Sequence, residues 1–499
     1  MFVFTQKAKI FAAALTLIGL IMVVIGFNTA GHEAEGHDAH ATEMHAAHSD
    51  EAHAEEAHAT HAEEAHAEEA HDEAMDAPHS EEGEEAHAEH AEEAHAEKAH
   101  DEAMDAPHSE EGEDAHADHA EEAHAEGHGG HEDHGAANRP WAALLVNTIF
   151  FLGIGIGTLF FLAIQYAAQA GWSAGILRVM ESVALFVGIP MLGMLFLVIT
   201  GTMDMHHVWH WMQDGIMDPA SPNYDSIIAG KEGYLNDTFF TLRTVAYLVI
   251  WAGAAYLLRR NSLKEDQLPE GQNLFFTQRK LAATFIVLYA VTSSTSAWDW
   301  IMSIDTHWFS TLFGWYTFAG MFVTALTVLN VLVMYLRVNN YLPWVNENHQ
   351  HDLGKFMFAF SVFWTYLWFS QYMLIWYSDI PEETPYYLAR FGEYKTLFIT
   401  MLALNFIMPV LVLMSRDSKR IMGFILLAAV FVLAGHWMDH YIMIMPGSVG
   451  YNYGFGWVEI GGFLFYAGLL LFVIQRNLAA APLKMKNHAM IHESKLFHQ

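Results

Sequence analysis

Ten stretches of about 20 apolar residues, the length a helix needs to cross the hydrocarbon core of a bilayer, recur along this chain. They fall at 10–27, 141–167, 176–200, 238–258, 281–302, 311–336, 356–377, 396–414, 421–441 and 455–474. In hydrocarbon every backbone N–H and C=O must find its partner within the protein, so stretches of this length are helices. The expected fold is therefore an all-α polytopic membrane protein with ten transmembrane helices. The run Gly153-Ile-Gly-Ile-Gly157 suits close helix packing, because small residues let backbones approach.

Lysine and arginine set the expected orientation, since loops on the cytoplasmic side carry an excess of them. With the N-terminus inside, 17 of the 23 basic residues fall on the cytoplasmic side. Both termini are then cytoplasmic, which an even number of spans requires. The first stretch has basic residues ahead of it, as a cleaved signal would. However, its apolar run is long for one, and Asn28 is a poor residue three before a cut at Ala30, so a retained anchor is expected. The domain reading is an N-terminal anchor at 1–27, an insert at 28–138, a membrane domain at 139–476 and a cytoplasmic tail at 477–499.

Composition matters chiefly for the insert. Of 58 acidic residues 36 lie at 28–138, with 22 of the 33 His and a single base, Lys98. The remaining 388 residues hold 22 acids and 22 bases. The formal charge of −35 thus belongs to one periplasmic segment of a near-neutral, apolar body. Residues 61–89 recur at 90–118, differing at Lys98, Asp114 and Asp118. Almost no large apolar side chain is present, so the insert cannot offset the entropy of ordering. Three readings stand: a solvated spacer, an electrostatic attractor of a basic soluble partner, and a metal-capturing imidazole tract. A basic nucleic-acid binder is excluded. With zero Cys, so are disulfides, thiolate Fe–S ligation and C-x-x-C-H haem attachment within this chain.

Ionisable residues inside a membrane are costly and mark function. Here they gather toward the outer helix ends: Asp204-Met-His206-His207-Val-Trp-His210, Asp299 to His307, and His436-Trp-Met-Asp439-His440. Helical spacing puts His436, Asp439 and His440 on one face. Arg243, Tyr377, Asp379 and Glu459 lie at similar nominal depth, with Gln371 and Asn405 as interior polar residues. Carboxylates beside imidazoles at a low-dielectric edge suit proton acceptance. The candidate acid–base set is His436, Asp439, His440, Asp299, Asp305 and His307. The plainer reading is that these groups cap helix ends, pair with one another or reach interfacial water. The hydroxyl run at 292–296 likewise reads either as a water-lined proton path or as bonding back to the preceding turn. The inner halves of the spans carry almost no His, so a bis-His b-haem is not expected, although His206 or His210 facing His436 or His440 would be its place.

The segment Phe356-Met-Phe-Ala-Phe-Ser-Val-Phe-Trp-Thr-Tyr-Leu-Trp-Phe-Ser-Gln371-Tyr-Met-Leu-Ile-Trp-Tyr-Ser-Asp379-Ile-Pro-Glu-Glu-Thr384 resembles the ActF-type membrane subunit of bacterial alternative complex III. So does 294–311, with Trp298-Asp-Trp and Ser303-Ile-Asp-Thr-His-Trp-Phe-Ser310. The resemblance spans roughly 141–476 and leaves the acidic repeat outside. It implies kinship with the polysulfide-reductase/NrfD-like membrane subunits. Two four-helix bundles would then be formed, by spans two to five and six to nine, flanked by the first and tenth.

The same resemblance implies a place in a respiratory menaquinol:cytochrome c oxidoreductase of the bacterial inner membrane. This chain would carry no cofactor of its own, with haem c and Fe–S clusters in partner subunits. Those partners would be a multihaem cytochrome c, an Fe–S subunit, a second NrfD-like subunit, a monohaem cytochrome c and a lipid-anchored or single-span subunit, with a terminal cytochrome oxidase as an acceptor. A quinol-binding or proton-conducting role is the leading reading and a non-catalytic scaffold subunit the alternative. A metal-ion transporter would also use His-rich loops and intramembrane His/Asp pairs. Transporter sites, however, lie near the midplane, and these residues crowd one side.

Overall fold

The computed structural model describes residues 2–29 and 132–498; the three readings of the acidic repeat fall outside the described residues. Ten long helices run along the described chain. They are α1 Gln6–Thr29, α2 Glu132–Ala167, α3 Leu177–Thr202, α4 Asp237–Glu265, α5 Phe275–Trp300, α6 Phe313–Val338, α7 Glu347–Ser378, α8 Lys395–Leu413, α9 Met422–Val449 and α10 Trp457–Ala479. No strand occurs among the described residues. Nine of the ten are long and apolar enough to cross a membrane. The exception, α7, is 32 residues long. Its sequence is rich in Trp and Tyr, whose polar tips lower its mean hydropathy while leaving an outward face of Tyr366, Phe369, Leu374 and Trp376. The protein is thus an all-α polytopic membrane protein.

Local chemistry sets the helix ends. Asn236 caps α4 by accepting from Phe239 N (2.9 Å). Asn346 and His349 form a reciprocal capping box at the start of α7, which ties down N–H groups that have no partner within the helix. That helix stops at Asp379, which turns left-handed (φ 45°). Helix α8 carries a π-turn at Ala403–Ile407, just before Pro409. Proline donates no N–H and crowds the preceding turn, and the wider π-turn accommodates it. Helix α2 starts at Glu132, upstream of the 139 boundary expected from composition.

Packing follows two rings. Helices α2, α3, α4 and α5 each touch the next and α5 closes on α2; α6, α7, α8 and α9 do the same. Helix α2 also lies against α6, α9 and α10, so the rings share it as a common wall. The glycine run explains how. A Cβ at Gly157 would come within 2.7 Å of Ala325 on α6, and one at Gly155 within 2.9 Å of Val187 on α3. The alternating glycines therefore let both neighbours approach α2 closely. Helix α1 docks on α10 by the same device, with Gly19 meeting Gly461 and Phe465, and Gly468 meeting Thr16.

The C-terminal residues cross the end of the bundle where α2, α4 and α6 finish. Lys486 N donates to Asp266 (2.9 Å), Asn487 to Leu268 O (2.8 Å), Ser494 to Trp172 O (2.7 Å) and Asn346 to Phe497 O (2.6 Å). These contacts tie the loops of both rings together. His488 is buried against Tyr166 and Phe275. Burial, with Arg178 nearby, holds its imidazole down at about 4.

Candidate functional site

In the second ring, α9 carries His436, Asp439 and His440 to the interior, all essentially without solvent exposure. The i, i+3, i+4 spacing aligns them, and α6 and α7 complete the site. Tyr316 donates its hydroxyl to Asp439 Oδ1. Trp364 donates its indole N–H to Asp439 Oδ2 at 3.0 Å. His436 Nδ1 lies 3.5 Å from the same oxygen, and its ring is set edge-on to Trp364 at 5.3 Å. Gly320 of α6 faces the site: a Cβ there would lie in van der Waals contact with Asp439 and His436, at 3.4 Å from each.

His440 is fixed by a hydrogen bond from Nδ1 to His436 O (2.7 Å). In the neutral ring Nδ1 must then carry the proton, which makes Nε2 the acceptor. That Nε2 is buried and has no hydrogen-bond partner, and neither ring nitrogen of His436 has one. Asn405, in the π-turn, is also buried with both amide atoms unpartnered and packs against Gly435. Ser361 Oγ on α7 is a further unpartnered buried group. Unsatisfied polar atoms in a bundle interior are costly, and the imidazoles on either side of Asp439 in sequence carry three of them.

Above this site sits a lid of ring and guanidinium. Arg390 is buried, pairs with Asp305 at 3.2 Å and donates to Met443 O at 3.3 Å, one turn beyond Asp439. It lies 3.3 Å over the Tyr386 ring, whose other face stacks on Trp308 at 3.8 Å. Burial pushes the Tyr386 hydroxyl up. Arg390 opposes this, and the carboxylates of Asp305 and Asp439, both within electrostatic reach, add to it.

The six predicted residues therefore divide. His436, Asp439 and His440 form one site, and Asp305 belongs to its lid. Asp299 instead lies in the first ring, in a two-pronged ion pair with Arg243 (2.8 and 2.9 Å) plus a Tyr247 hydroxyl at 2.8 Å. His307 is half-exposed and bonds Asp225 at 2.5 Å, in the α3–α4 connection. His206 is buried and structural: Nε2 donates to Leu197 O (3.1 Å), while Nδ1 accepts from Val208 N (3.4 Å). Burial outweighs the Leu197 bond and holds it down at about 4.

Within 292–296, three hydroxyls bond to the preceding turn: Thr292 to Leu288 O, Thr295 to Val291 O and Ser296 to Ser293 O. Gln371 donates to Tyr387 Oη at 3.3 Å, and Glu459 holds Arg139 at 3.3 Å. Sequence reasoning missed Tyr316 and Trp364 as carboxylate partners, because aromatic residues in aromatic-rich helices carry no spacing signal of their own.

An apolar groove of about 510 Å³ opens between α7 and α8 at the π-turn, lined among others by Tyr366, Trp368, Phe369, Leu402 and Phe406. No protein-family model matches this sequence, and no curated protein matches it.

Proposed function

We propose that this chain is an integral membrane subunit of a menaquinol:cytochrome c oxidoreductase of the alternative complex III kind, and that its second ring handles the protons of quinol chemistry. The observation that carries the reading is the Asp439–His440 arrangement: a buried carboxylate with no Lys or Arg partner among the described residues, beside an imidazole whose acceptor nitrogen is free. Quinol oxidation releases two electrons and two protons. His440 Nε2 offers a lone pair for one proton and the Asp439 carboxylate for the other, and both leave toward Tyr386 and Asp305. A general base must lie within hydrogen-bond reach of its proton donor, directly or through one water. The unpartnered atoms of His436, Asn405 and Ser361 give water or a quinol hydroxyl places to bind. The groove beside α8 gives a membrane-dissolved ring a surface to lie on.

With zero Cys, electrons would leave through haem and Fe–S centres of partner subunits. In this reading the chain lies in the bacterial inner membrane with ten spans. Both termini are cytoplasmic, and the acidic insert is periplasmic. The first test is purification in mild detergent: co-purification of cytochrome c polypeptides with c-type haem spectra supports the proposal. Isolation of the chain as a stable homo-oligomer without them sinks it. Reporter fusions after Leu258 and Gln475 should read cytoplasmic, and one within the repeat periplasmic.

A further inference from the structure

The first ring closes on buried charge where the C-terminal residues cross it. Helices α2, α3, α4 and α5 bring Tyr166, Arg178, Glu181, Glu265 and Gln278 to this end, and the C-terminal residues bring His488; all six are buried. Each buried arginine here has a carboxylate at 2.9 Å: Arg178 holds Asp266 and Arg259 holds Glu181. Glu265 has no such partner among the described residues. Its Oε1 accepts from Leu274 N (3.0 Å), and its Oε2 has no hydrogen bond.

The surrounding atoms lack partners of both kinds. Glu265 Oε2, Glu181 Oε1 and Gln278 Oε1 are buried acceptors without a donor. Arg178 Nε and Nη1 are buried donors without an acceptor. His488 Nδ1 accepts from Met490 N (3.2 Å), so in the neutral ring Nε2 carries the proton and is a third such donor. The Tyr166 hydroxyl is unpartnered too. Glu181, Glu265 and Arg178 all lie within electrostatic reach of it, and Arg178 within reach of His488, so these groups share one neighbourhood.

A site short only of donors would call for a cation, and one short only of acceptors for an anion. Both are missing here, and water supplies both: a buried water makes about three hydrogen bonds to groups of this kind. An ionised carboxylate buried without a base is costly, and contact with water lets it trade its charge for a proton. We infer that this end of the first ring encloses a cluster of bound water molecules through which Glu265 exchanges a proton with solvent. The proton moves between Glu265 Oε2 and the adjacent water, and no other bond changes. Asp266, whose side chain is 18% exposed, marks the rim where the cluster meets solvent. This site is separate from Asp439 and stands without the quinol reading.

Two measurements on the full-length chain in detergent test it. Brief radiolysis in heavy-oxygen water oxidises side chains that lie beside bound water, buried or not. Tyr166 and His488 are expected to take up the label, while Tyr466, buried and bonded to Thr148, is not. Infrared difference spectra between two pH values should show a carboxyl C=O band that moves in heavy water. Glu265→Gln, which keeps the shape, should abolish that band. If this variant does not fold, Glu265→Asp should shift the band instead. Tyr166 and His488 left unlabelled in the folded wild type, or a band unchanged in the folded variant, overturns the inference. So does a band that responds to added sodium at fixed pH and ionic strength, which would make the ligand a metal cation.

Discussion

Asp299 and Asp439 are both fully buried carboxylates on neighbouring rings, and only one of them meets a guanidinium. Arg243 grips Asp299 through both oxygens, whereas Asp439 accepts from a phenol and an indole and has imidazoles alongside. The first arrangement neutralises a charge permanently. The second holds a carboxylate with donors that carry no fixed charge.

Asp439→Asn keeps shape and removes the charge. Normal assembly is expected, with quinol:cytochrome c turnover lowered about 10-fold or more, the low end of acid–base contributions. Turnover assays on the purified complex check it. Unchanged turnover together with unchanged proton release per electron would make the site structural and the subunit a scaffold.

Asp299→Ala should act on folding rather than chemistry. Removing one partner of a buried ion pair leaves the other uncompensated, at a cost of about 3–5 kcal/mol. Replacing both, as Arg243→Met/Asp299→Leu, should cost much less. Thermal unfolding of the single and double variants in detergent measures the difference.

Acidification should loosen two places at once. His206 and His488 are held down at about 4 from the usual 6.5 by burial. A His depressed in the folded state contributes stability that is complete above its unfolded value and is lost as pH falls toward the folded one. The expected window is therefore pH 6.5 down to 4, with a loss on the order of 3 kcal/mol per residue. His488→Gln should flatten the pH dependence of proteolysis at the C-terminal residues, and leave that of the His206 loop untouched.

Gly461→Leu should detach α1 from α10, since any side chain at 461 meets the backbone of Val23 and the carbonyl of Gly19. After cleavage at a protease site introduced between α1 and α2, the α1 fragment should co-purify with the parent chain and be lost from this variant.

Much of this architecture was legible in apolar length. The all-α polytopic fold and the closeness of the Gly153–Gly157 run to its neighbours both follow from the need to satisfy backbone and fill space in hydrocarbon. Periodicity also aligned His436, Asp439 and His440. It could not say that Asp299 belongs to another ring, because which helices face one another is set by long-range packing that a single span does not encode. For the same reason the gathering of Arg390, Tyr386 and Trp308 over Asp439 was invisible: Arg390 and Tyr386 come from the α7–α8 connection and Trp308 from the α5–α6 connection.

Helix α2 is the first of the body to be made, and it touches α3, α5, α6, α9 and α10. Its Asn147 is buried, bonding Ala143 O locally, then Glu459 O (3.1 Å) and the Trp437 indole (2.9 Å). Those two partners are translated about 290 residues later or more. During synthesis this carboxamide must therefore wait in the bilayer incompletely satisfied. Early insertion intermediates of this chain should thus depend on an insertase or on a neighbouring polypeptide to shelter α2 until α9 and α10 arrive.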